Sequence, residues 1–302
     1  MEAKWRWLAV TAVAPIAWGS NYFVTRQFLP DDAPLWGAVL RALPAGLLLL
    51  ALARRRPHGA WWWKSLVLGV LNVGAFFVLI YLASQLLPTS IASTLMATSA
   101  AVLMLLAWPL LRERPRMLGI AGALVGFAGV CLMLLEPAGP SVDLLGVGVS
   151  LAAMLMSSVG FVLTRRWGAG VAVLPLTSWQ LLGGALVLLP VALVVEGAPP
   201  ALDVPAALAF GYVTLVATAL AFLCWFAGLR HLPAASVGLV GLLNPVTGVL
   251  LGTLLAGEAF GPAQALGTAL VLAGVLLGQA RVRRPDRPER IRTEWPPPRA
   301  LH

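Results

Sequence analysis

Residues 14–26 read APIAWGSNYFVTR. They lie inside an apolar run from Trp7 to Phe28, and their reading decides what the rest of the chain must be. A helix of roughly 20 apolar residues spans about 30 Å of hydrocarbon at about 1.5 Å per residue. Yet Trp18, Asn21, Tyr22 and Thr25 recur at i, i+3, i+4 and i+7, which is one face of that helix. Amide and hydroxyl groups facing lipid cost free energy, so this face must look at protein or at a wet cavity. The run therefore reads as one membrane helix among several that enclose something polar.

The remainder of the chain agrees. Of 302 residues 60% are hydrophobic and 11% are charged, and the mean hydropathy is +0.88. A soluble domain keeps roughly 25% of its residues charged. This chain cannot cover a water-facing surface, so its solvent is lipid. Ten apolar segments are expected, near 7–28, 34–52, 65–86, 90–111, 117–135, 143–163, 173–195, 206–228, 236–256 and 262–280. They are rich in Leu, Ala and Gly without alternation, so they read as helices and not as barrel strands. Lys4 and Arg6 precede the first run, but it is too long for a signal peptide and is kept as a mature helix.

Charge predicts the orientation. With a cytoplasmic N-terminus and ten alternating spans, Arg54, Arg55, Arg56, Lys64, Arg112, Arg114, Arg116, Arg165, Arg166, Arg230 and the basic tail collect on the cytoplasmic side. Asp31, Asp32, Glu136, Asp143, Glu196, Asp203 and Glu258 fall outside, with Arg26 as the one basic residue there. The net charge of +9 is thus a topology signal, and no nucleic-acid surface is read from it. Both termini are expected in the cytoplasm of a bacterial cell, with the tail 281–302 solvated and near anionic lipid.

The first stretch has a counterpart. YFVTRQF (22–28) aligns with FVLTRRW (161–167), and the same offset carries Arg41 onto Gln180. LPTSIAS (87–93) aligns with LPAASVG (232–238), and that offset sets Glu113 over Glu258, Gly122 over Gly267 and Gly129 over Gly274. The chain divides into a five-helix repeat at 1–139, a second at 140–280, and the tail. An odd helix number inverts the second repeat in the membrane, the architecture of carriers that work by alternating access. The glycines of GIAGALVGFAGV (119–130) serve packing within one chain or between two equally well, so a monomer and a dimer both stay open.

These motifs, with LRERP after the fourth helix and LAGEAFGPAQALGTALVLAGVLLG near the end, resemble the drug/metabolite transporter superfamily. Within it the chain is similar to EamA-type ten-helix carriers, and most to the YddG-type amino-acid exporters. The resemblance covers Trp7 to Gln279. It implies an all-α inner-membrane protein of two inverted five-helix repeats, with a pathway lined by helices 1, 3, 4, 6, 8 and 9.

The polar and aromatic residues of those helices are the candidate substrate-binding set. They are Trp18, Asn21, Tyr22, Asn72, Phe76, Tyr81, Met96, Ser99, Ser157, Phe161, Thr214, Thr218, Trp225 and Asn244. Mid-helix prolines, Pro245 above all, are expected to free carbonyls for a ligand. Asp and Glu are absent from the middles of the spans, and His58, His231 and His302 all lie in loops. An intramembrane enzyme, a metal site and a proton relay therefore have no residues to work with, and no cofactor is expected. Cys131 and Cys224 stand alone inside helices. Arg41 is the one buried charge, and its place about two turns into helix 2 puts it too near the outside to be chosen. The expected function is facilitated export of small amphipathic metabolites, aromatic and other neutral amino acids foremost. A proton-coupled exporter of other metabolites or drugs is the alternative, and a channel-like pore is the alternative of another class. The partners expected are a small-molecule substrate and membrane lipid.

Overall fold

The computed structural model describes residues 2–99, 102, 105, 106, 110, 117–135, 142–168, 170–232 and 240–279. Pro109, Arg112, Glu113, Arg114, Arg116, Glu136, the 233–239 motif and the tail 281–302 lie outside the described residues.

Among the described residues every regular element is helical. We label them in chain order: α1 Glu2–Phe28, α2 Pro34–Ala53, α3 Trp61–Leu86, α4 Thr89–Ala97, α5 Met117–Leu135, α6 Leu144–Trp167, α7 Val173–Val195, α8 Val204–His231, α9 Leu243–Leu254 and α10 Pro262–Gln279. Among the described residues five helices are long and apolar enough to cross a membrane: Pro34–Ala53, Trp61–Leu86, Leu144–Trp167, Val173–Val195 and Val204–Gly228. Two helices are interrupted. Val70–Gly74 of α3 and Leu215–Leu220 of α8 are π segments. The offset that sets Leu87 over Leu232 also sets Val70 over Leu215.

The helices approach one another through glycine. Lipid supplies no hydrophobic drive for helix association, so close van der Waals contact must hold the bundle. A Cβ placed on Gly69 of α3 would lie 2.4 Å from the Gly184 nitrogen of α7. One on Gly19 of α1 would lie 2.4 Å from the Asn244 carbonyl of α9. The stripe at 119–130 is spent within the chain: Gly129 abuts the Gly267 carbonyl, and Gly274 abuts the Gly122 carbonyl. Helices α5 and α10 thus exchange equivalent glycines.

Loop charges finish the helix ends. Backbone N–H groups at a helix start lack intrahelical partners, and carboxylates satisfy them. Asp143 accepts from the Leu145 nitrogen at 2.8 Å, and Asp203 from the Ala206 nitrogen at 2.8 Å. Glu196, in the connection after α7, accepts from Leu35 and Trp36 at the start of α2, both at 2.8 Å. Glu258, before α10, accepts from Thr89 and Ser90 at the start of α4. All four acids sit at one end of the bundle. Arg26 serves the opposite need there, donating to the carbonyls of Gln85 and Leu87 at the end of α3.

One expectation changes. Pro245 is not in the middle of a continuous helix. Residue 242 is a turn, and α9 starts at Leu243, so Pro245 falls in its first turn. A missing N–H there removes no intrahelical bond. The proline restarts the helix.

Candidate substrate site

Aromatic rings from α1, α3, α6 and α8 form one connected wall. Trp18 of α1 lies 5.5 Å from Phe222 and 5.2 Å from Trp225, both on α8. Phe222 continues to Phe77 of α3 at 6.2 Å and to Phe226 at 5.9 Å. Phe77 adjoins Phe76 at 5.8 Å, and Phe226 meets Phe161 of α6 at 6.3 Å. Trp18, Phe76, Phe161 and Trp225 stay half-buried. The spacing and tilt are those at which ring edges meet ring faces favourably.

At the edge of this wall sits Arg41 of α2. The sequence reading put it near the outer surface. Its side chain instead turns inward and reaches the middle of α8. Nε donates to Thr218 Oγ1 at 2.6 Å and Nη2 to the Ala217 carbonyl at 3.3 Å. Cζ stands 4.0 Å over the Phe77 ring. Trp18 Nε1 donates to the same Ala217 carbonyl at 3.1 Å. The π segment explains this convergence. A wider turn loosens the helix's own bonding, and here two side chains from other helices share one carbonyl. Arg41 is 6% exposed, and no carboxylate pairs with it among the described residues. Thr214, one turn earlier on α8, donates to the Leu40 carbonyl at 3.2 Å.

A second polar junction joins α3, α6 and α7. Asn72, inside the π segment of α3, donates through Nδ2 to Gln180 Oε1 of α7 at 2.8 Å and to Thr164 Oγ1 of α6 at 3.0 Å. Its amide oxygen presses on Gly160, where a Cβ would lie 1.9 Å away. This cluster ties three helices together, and the Asn72 amide oxygen itself has no partner.

The other expected residues divide between these regions and plain packing. Asn21 is 2% exposed, and its Oδ1 has no partner. Tyr22 and Met96 pack with Ile80, Ile91 and Leu95. Tyr81 sits nearer the α1–α2 connection, donates to the Pro30 carbonyl and fills the notch at Gly37. Ser157 bonds back to the Met154 carbonyl of its own helix at 3.1 Å. Ser99 lies half-buried just past α4. Asn244 Oδ1 has no partner. The structure thus gathers Trp18, Phe76, Phe161, Thr218 and Trp225 in one place, and puts Asn72, Tyr81 and Ser157 elsewhere. The roles of Arg41 and Gln180 escaped the sequence reading. A signal existed, because the repeat alignment pairs those two residues.

Comparisons with known proteins agree with this architecture. A solved crystal structure superposes with a TM-score of 0.68 at 21% identity, covering 90% of this chain and 95% of that one, which shows a shared fold. Protein PecM of Dickeya dadantii is 35% identical over 268 residues, 88% of this chain and 90% of that protein. The uncharacterized inner membrane transporter YedA of Escherichia coli K12 is 28% identical over 277 residues, 87% of each chain. The pattern of the EamA-like transporter family matches residues 5–135 and again residues 144–278. With nearly all of its length matched in this way, the chain belongs to the EamA-like transporter family.

Proposed function

We propose that this protein is a secondary carrier of the bacterial cytoplasmic membrane. It exports small amphipathic metabolites, with aromatic and other neutral amino acids as the leading substrates. Ten spans form two inverted five-helix repeats with both termini in the cytoplasm, and the repeats rock about a central site to alternate its access. Transport is facilitated diffusion, since proton coupling needs titratable groups along the path. The observation that carries the reading is the aromatic wall of Trp18, Phe76, Phe77, Phe161, Phe222 and Trp225 beside the unpartnered amide oxygen of Asn21. A neutral amino acid needs an apolar face and polar groups placed together. That the family match falls once on each half of the chain supports the repeat.

Counterflow of labelled phenylalanine and tryptophan in proteoliposomes tests this. Saturable exchange is expected, and Asn21→Ala and Trp18→Ala should each lower it about tenfold, or about 1.4 kcal/mol. Flux that does not saturate would assign a channel. Accumulation driven by a proton gradient alone would assign proton coupling.

A further inference from the structure

The Arg41 guanidinium is incompletely satisfied. Arginine carries five N–H donors in a planar fork. Two of them are engaged, one by Thr218 Oγ1 and one by the Ala217 carbonyl. Nη1 makes no hydrogen bond among the described residues. Neither engaged partner carries charge, and Phe77 offers only its ring face. A buried guanidinium is costly in a low-dielectric interior unless a counter-charge and further hydrogen bonds compensate it. A bundle that needed Arg41 only for cohesion would meet it with a carboxylate, and this one meets it with a hydroxyl, a carbonyl and a ring.

The two engaged atoms are informative. Nε and one Nη2 hydrogen point into α8, which holds the plane of the fork in place. The terminal edge, formed by Nη1 and the other Nη2 hydrogen, remains a pair of parallel donors of the kind that binds a carboxylate. Phe77 lies against the face of the guanidinium, and Phe222 and Trp18 continue the aromatic wall from that ring. A second polar group stands on α1, whose Trp18 shares the Ala217 carbonyl with Arg41. Trp18 Nε1 touches Ala217, so that face of α1 lies against the same π segment. Asn21 is one turn along that face, is 2% exposed, and holds an acceptor without a donor. The region thus combines a cation that needs an anion, an acceptor that needs a donor, and an aromatic wall.

Resting on the carrier reading above, we propose that Arg41 is the receptor for the carboxylate of the transported molecule. Thr218 and the Ala217 carbonyl orient the guanidinium, and Asn21 Oδ1 accepts from the substrate's ammonium. The substrate class is then an organic monocarboxylate with an aromatic or apolar body, amino acids included. Amines and sugars lacking a carboxylate are excluded.

The test uses the purified full-length chain in detergent and reads ligand binding by tryptophan fluorescence and by thermal shift. The probes are L-phenylalanine, 3-phenylpropanoate and L-phenylalaninamide, which hold the ring constant and vary the two charges. The wild type should bind both carboxylates at least about tenfold more tightly than the amide. Arg41→Gln should abolish that preference, and Arg41→Lys should restore part of it, since an ammonium keeps the charge and loses the fork. The wild-type comparison needs no mutant, and Thr218→Val gives a second perturbation if Arg41→Gln does not fold. Equal binding of acid and amide by the wild type overturns the proposal, as does a preference that survives Arg41→Gln. Binding of none of the three at millimolar concentration overturns it as well. In that case stabilisation by added chloride would assign Arg41 to an inorganic ion. Counterflow in proteoliposomes stands apart from these measurements. Its failure alone would remove the carrier reading and leave the carboxylate receptor in place.

Discussion

Two junctions cross this bundle, and both are built around a π segment. In the first, Asn72 of α3 meets Thr164 of α6 and Gln180 of α7. In the second, Ala217 and Thr218 of α8 meet Trp18 of α1 and Arg41 of α2. The repeat alignment makes Arg41 and Gln180 equivalent, and Asn21 and Gly160 equivalent. At the first junction the residues are neutral and the Asn72 donors find acceptors, while its amide oxygen, unpartnered like that of Asn21, packs against Gly160. At the second, a cation keeps spare donors and Asn21 keeps a spare acceptor. One framework thus carries a neutral amide cluster at one junction and a cation with spare donors at the other. Unsatisfied buried polar groups cost stability unless something else completes them, so the second junction is where a ligand gains most.

Several substitutions would break or sharpen that contrast. The first junction rests on backbone contact, so Gly184→Val should be the most damaging. A Cβ there would lie 2.6 Å from the Gly69 carbonyl and 2.8 Å from the Gly74 nitrogen, and neither atom belongs to a side chain that can rotate away. A loss of about 3 kcal/mol is expected, read as a large fall in monodisperse protein after extraction. A normal yield would mean that α3 and α7 can separate without cost.

Asn72→Leu comes next. It leaves Gln180 Oε1 without its shorter hydrogen bond, and the expected cost is about 2 kcal/mol of stability. The melting temperature of the purified protein checks this, and an unchanged value would show that the amide cluster braces nothing.

Thr218→Val acts at the other junction. It removes the acceptor of Arg41 Nε at nearly constant volume. Counterflow per folded molecule should fall about tenfold, while Thr218→Ser should stay near wild type because it keeps the hydroxyl. Equal loss in both variants would make packing, and not orientation of Arg41, the role of this residue.

The smallest effects separate two glycines of α5. Gly129→Ala should destabilise, because a Cβ would lie 2.6 Å from the Gly267 carbonyl. Gly126→Ala meets nothing within 4 Å and should shift stability by no more than about 0.5 kcal/mol. Similar melting curves for the two would mean that α5 and α10 are looser than their glycine contacts suggest.

Much of the scaffold was legible in the sequence, because lipid imposes a simple rule on it. The apolar run at 173–195 coincides with α7 residue for residue, and residues 117–135 are helical throughout. Of the loop acids, Asp143, Glu196, Asp203 and Glu258 accept from backbone N–H groups at helix starts. The glycine register predicted contact but left its partner open, and α10 supplies that partner. The stripe of α1 was legible as inward-facing for the same reason, since Asn21 cannot face hydrocarbon cheaply.

What the sequence by itself determined is therefore which residues must avoid lipid. Hydropathy measures a side chain against its solvent, and that comparison needs no partner. Which polar groups satisfy one another was decided only by the tertiary structure. Arg41 looked peripheral from its place on α2, but a long flexible side chain and a widened turn on α8 bring its charge to the centre. Asn72 and Asn21 look alike along their helices, yet the Asn72 amide finds two acceptors on α6 and α7, with Gly160 against its oxygen. That difference depends on what stands opposite each residue across the bundle. Helical period and hydropathy describe one helix at a time, so they carry no information about the facing residue.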